Sequence, residues 1–135
     1  MRATARNLSI LFAAGCLGGL FNSLAIWAAG KYGIMSMLDV RIAPHLTAKW
    51  LYPRIVWGGI WGALFLIPLF KGKTIRRGLF MSIGPTAVQL FVIFPHVANK
   101  GVMGMALGTF TPLFVVIFNA IWGITAAFWI KFARN

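Results

Sequence analysis

LSILFAAGCLGGLFNSLAIWAA, residues 8–29, contains no charged side chain. As a helix rising about 1.5 Å per residue it would be about 33 Å long, enough to cross a hydrocarbon core of roughly 30 Å. The rest of the 135-residue chain fits the same solvent: 60% of its residues are hydrophobic and 10% charged, against roughly 25% charged in an ordinary soluble domain. Working outward, three more apolar runs follow. Residues 55–70 are uncharged but short, and a full crossing over 51–70 includes Arg54, which is expected to snorkel toward the headgroups along its apolar stem. Residues 78–96 form a third run, interrupted by Gly84-Pro85, where the missing donor and the ring clash predict a bent helix. In the long uncharged stretch 101–130, Thr111-Pro112 reads as a cap followed by a first helical residue, so the fourth helix is expected over 112–130.

The expected fold class is therefore all-α, a polytopic membrane protein with a single domain built as a four-transmembrane-helix bundle. In the first outer loop, Met35, Leu38 and Ile42 repeat at helical spacing with Asp39 and Arg41 elsewhere on the turn. That pattern predicts a short amphipathic interfacial helix, with Asp39 and Arg54 as interfacial residues. Residues 101–110 are rich in glycine yet apolar, and are expected to dip into the interface or pack on a neighbour.

Thirteen Lys and Arg face a single acid, Asp39, for a net charge of +12. These cations lie between or beyond the apolar runs, where they face anionic phospholipid and orient the chain; no basic surface with interleaved aromatics remains for nucleic acid. Arg2, Arg6, Lys71, Lys73, Arg76, Arg77, Lys131 and Arg134 fall on one side, and Lys31, Arg41, Lys49, Arg54 and Lys100 on the other. The larger set places both termini in the cytoplasm, and the general character is that of a small bacterial inner-membrane protein. Arg2 and Arg6 followed by residues 8–16 resemble a lipoprotein signal ending at Cys16, but the apolar run continues unbroken beyond it.

Catalysis needs a nucleophile with a base, paired carboxylates or a metal set, and none is apparent, so no enzyme is expected. No Asp, Glu, Lys or His occupies the middle of an apolar run, which argues against proton coupling through a buried acid. The interior instead carries amides. Asn22, Gln89 and Asn119 should sit at one depth, about 10 Å from the outer edge, where the second helix offers Gly58 and Gly59. Gly15 and Gly19, and Gly58 and Gly62, form two Gly-x-x-x-Gly faces for close helix packing. Two function classes follow. The first is a non-enzymatic protein acting through helix contacts, as an accessory subunit of a larger membrane complex or a homo-oligomer. The second is a small oligomeric channel or carrier for a neutral or anionic solute, built around the amides. No cofactor is required; a third reading takes Met35, Met37, Met103, Met105, His45 and His96 as an outer-face copper set, since thioether and imidazole suit Cu(I).

Overall fold

The computed structural model describes residues 2–70 and 72–134, and every element in it is helical. Helix α1 spans Arg2–Lys31 and is followed by a single turn, α2, at Ile34–Met37. Helix α3 runs over Ala48–Trp61 and continues as a 3-10 segment, Gly62–Leu66. A third rod, Thr74–Val97, is made of α4 (Thr74–Met81), α5 (Ile83–Val88) and a π-helical segment, Gln89–Val97. After a 3-10 stretch at Val102–Leu107, α6 closes the chain over Thr111–Arg134. Three of these rods, Arg2–Lys31, Thr74–Val97 and Thr111–Arg134, are long and apolar enough to cross a membrane.

Helix α1 packs against both α3 and α6, and the third rod packs on α6 and faces α3 across a groove. Glycine sets these spacings. A Cβ on Gly58 would lie 2.7 Å from the carbonyl oxygen of Gly15, and one on Gly19 would lie 2.8 Å from that of Arg54, so α1 and α3 touch backbone to backbone. Gly62 completes the seam against Leu11. The two glycine faces are thus engaged with each other inside the monomer. A second seam, invisible in any Gly-x-x-x-Gly pattern, joins α4 to α6, where a Cβ on Gly78 would lie 2.6 Å from the Gly123 carbonyl oxygen.

One apolar cluster, including Leu11, Phe65, Met81, Trp122 and Ile130, fills the end that holds both termini. There Arg134 donates to Asn7, and Arg77 donates to the Phe65 carbonyl while lying over its ring. Arg2, Arg6, Lys73, Arg76, Arg77, Lys131 and Arg134 therefore belong to one end of the molecule; Lys71 lies outside the described residues. Ile26, Met35, Val40, Phe114 and Phe118 form a cluster under the first loop, and Leu90, Phe94 and Val115 a third. Phe12, Phe21, Phe91, Val116 and Phe128 stand exposed around the outside, more apolar surface than a water-soluble monomer leaves uncovered.

Several boundaries differ from the sequence reading. Helix α3 starts earlier than 51, because the Thr47 side chain caps it by accepting from the Trp50 N–H at 3.2 Å. Its helical run stops at Leu66 rather than 70, since Ile67 precedes Pro68 and takes an extended conformation (φ −70°, ψ 121°). The amphipathic helix expected through Ile42 ends at Met37, and Asp39 adopts a left-handed φ of 58°. Met35 is buried rather than resting on lipid. Thr111 does not cap α6 from outside: it is the first helical residue, and its buried hydroxyl finds no partner among the described residues. Pro85 does interrupt its rod, at Ser82, between α4 and α5. The loop 101–110 packs Met103 and Leu107 on the chain's own Leu90, Phe94 and Val115.

Candidate functional site

Asn22 on α1 faces Asn119 on α6 because both lie on the stripe where these helices pack, and both are buried. The Asn22 Nδ2 amide donates to the Phe118 carbonyl at 2.6 Å and to Asn119 Oδ1 at 3.4 Å. Asn119 Nδ2 in turn donates to Thr86 Oγ1 at 3.1 Å and Gln89 Oε1 at 3.3 Å. Thr86 and Gln89 share a face of the third rod, being three residues apart. The structure thus joins Asn22, Gln89 and Asn119 through direct hydrogen bonds.

Arg54 belongs to the same network. It does not snorkel toward the headgroups as the sequence reading held. Its Nε donates to Ser23 Oγ at 2.9 Å and its Nη2 to Asn22 Oδ1 at 3.0 Å, with the guanidinium 5.0 Å from the centre of the Trp50 ring. The reason is local: Gly19 lets α3 approach α1 at the Arg54 carbonyl, and from there the side chain reaches the amides more directly than the water. Ser23 is fully buried, and hydroxyls such as those of Ser23 and Thr86 usually satisfy themselves on their own helix. Ser82 does so, donating to Leu79 at 2.7 Å, but Ser23 and Thr86 serve as acceptors for side chains on other helices. Their spacing to Asn22 and Gln89 was the available signal.

Gly58 borders this centre, and its carbonyl accepts from the Trp122 indole at 3.2 Å. Gly59 does not: a Cβ there would meet Cys16 and Phe12, since adjacent helical residues point about 100° apart. Asp39 is exposed on the first loop and lines neither of the spaces that Arg54 borders. The six thioether and imidazole residues are dispersed: Met35 and Met103 pack in different apolar clusters, while Met37, Met105, His45 and His96 are exposed.

Two spaces meet at Arg54, Asn22 and Gln89. A cavity of about 180 Å³ lies toward the loops at the end away from the termini, bounded also by Trp50, Phe114, Ile42, Pro44 and Leu107. A groove of about 440 Å³ runs between α3 and the third rod, with Asn119 and Gly58 at its base. No acid lines either space. Among the described residues, Arg54 Nη1 and Gln89 Nε2 donate to no protein acceptor, whereas each amide oxygen of the network already receives a hydrogen bond. The centre therefore presents a surplus of donors and an uncompensated positive charge. Comparison with known protein families, characterised proteins and solved structures finds no match to this chain.

Proposed function

We propose that this chain is an inner-membrane protein of a bacterial cell that crosses the bilayer four times, with both termini cytoplasmic, and binds an anionic group at Arg54 as the recognition site of a small carrier. Helix α3 has 14 residues and its 3-10 extension 5. Together they reach about 30 Å, which supports a fourth crossing beside the three longer rods. The observation that carries the functional reading is Arg54 itself: a guanidinium turned into the bundle, with no acid around it and with donors still free.

An Arg at the centre of a membrane helix costs roughly 2.5–3.5 kcal/mol on insertion scales; Arg54 lies nearer the start of α3, and the Asn22 and Ser23 oxygens offset part of its smaller cost. An oxyanion would take up the remaining donors and cancel the charge. The alternative, a protein acting through helix contacts, loses one of its supports, since both glycine faces are occupied within the monomer. Copper has no assembled ligand set to support it.

The test uses the purified protein in zwitterionic detergent, titrated with inorganic phosphate or with dodecyl phosphate while following the fluorescence of its tryptophans. Saturable binding of either probe is expected, weakened by Arg54→Gln by about 1.5–3 kcal/mol, roughly 10- to 150-fold, and partly retained in Arg54→Lys. If neither probe binds, or if Arg54→Gln binds as well as the unaltered protein, the anion reading fails.

A further inference from the structure

We infer that the anionic group recognised at Arg54 is the phosphate of an anionic phospholipid, which enters sideways from the outer leaflet through the groove between α3 and the third rod. This rests on the anion reading above and names its ligand.

The two outer loops are joined over the small cavity. The Arg41 N–H donates to the Leu107 carbonyl at 2.8 Å, and its guanidinium donates to the Ala106 carbonyl, tying the two outer loops together. Ile42, Pro44 and Leu107, from these loops, line the small cavity on that side. The lateral groove is open to the surface that lipid covers. Pro53, Trp57 and Trp61 form one wall, and Pro85, Val88 and Ile93 the other. An apolar slot ending at a cationic, donor-rich centre has the polarity of an amphiphile: acyl chain between the walls, oxyanion at Arg54 and Gln89.

The dimensions agree with that occupant. The groove's volume of about 440 Å³ falls within the 300–1,000 Å³ or so of small-molecule sites. The cavity of about 180 Å³ beyond Arg54 leaves room for a small headgroup remnant such as glycerol. At the inner end the groove is stopped, because Leu64 and Trp61 come against Gly84 on the opposite rod. Charge selects the lipid. A phosphodiester with a neutral headgroup substituent leaves its negative charge for Arg54, whereas a choline headgroup would bring its own cation into a space that contains no acid.

The experiment is native mass spectrometry of the protein released from nanodiscs made of equal parts phosphatidylglycerol and phosphatidylcholine. One phosphatidylglycerol per chain is expected to survive release, preferred tenfold or more over phosphatidylcholine. Arg54→Gln should abolish the preference and Arg54→Lys should keep part of it. Val88→Trp, which fills the groove without touching the charge, should release the lipid; size-exclusion profiles establish that each variant is folded. Equal retention of the two lipids overturns the inference, as does a preference that survives both Arg54→Gln and Val88→Trp, because the basic loops would then be its source. Arg54-dependent binding of inorganic phosphate without any retained lipid overturns the lipid and leaves the anion reading standing. Failure of both probes removes both.

Discussion

A methyl group is the smallest change a glycine can suffer, and in this bundle its effect depends on what it meets. A Cβ on Gly15 would collide with the Gly58 carbonyl oxygen and would lie 2.9 Å from the Gly59 Cα, both of them backbone atoms of a packed helix. A Cβ on Gly59 would come within 2.6 Å of Cys16 Sγ and the Phe12 ring edge, which are side-chain atoms that can swing aside. Gly15→Ala is therefore expected to destabilise the protein by about 1–3 kcal/mol, the usual cost of overpacking, and Gly59→Ala by less than about 1 kcal/mol. Thermal unfolding in mild detergent compares the two directly. Equal effects would mean that α1 and α3 separate without resistance. The Arg54 centre belongs to this scale too, since the guanidinium reaches Asn22 and Ser23 only while that seam is closed.

Among the elements, the third rod is the least regular. Pro85 has no N–H to offer the Met81 carbonyl, and the helix breaks at Ser82, one residue later. The Ser82 N–H still reaches Gly78 and the Thr86 N–H still reaches Ser82, each at 3.1 Å, so helical bonding resumes on both sides of the break. Pro85→Ala should let α4 and α5 fuse and slow amide hydrogen exchange over residues 83–87 several-fold. Unchanged exchange would show that the packing of Gly84 against Leu64, not the proline, dictates the break. The Pro85 break was legible in the sequence because its cause is local. The π-helical turn around Pro95 and the 3-10 end of the second helix were not, since they depend on how Leu90, Phe94 and Phe65 settle into clusters built from distant segments. The amides shared a depth that counting could find. The turn of the Arg54 side chain toward Asn22 and Ser23 was not legible, because residue spacing gives depth along a helix and not the direction a long side chain takes.

At the scale of the whole molecule, topology follows from where the cations collect. Arg2, Arg6, Lys73, Arg76, Arg77, Lys131 and Arg134 share the end packed around Leu11, Phe65 and Ile130. With Lys71 added from the sequence that side carries eight cations, against the five of Lys31, Arg41, Lys49, Arg54 and Lys100. On the positive-inside rule, in which short loops carry the most weight, we propose that this end is the cytoplasmic one. A green fluorescent protein fused after Asn135 should fluoresce, and an alkaline phosphatase fused there should be inactive. The stronger trial removes the bias while leaving Arg77, which holds the Phe65 carbonyl, untouched. Changing Lys71, Lys73 and Arg76 to Gln takes eight cations down to five, equal to the other side. Fluorescence from the fused reporter should fall and phosphatase activity should appear as part of the population inserts the other way round. If the triple variant keeps the original orientation in full, the terminal cations, Arg2 and Arg6 among them, and not the loop, set the topology.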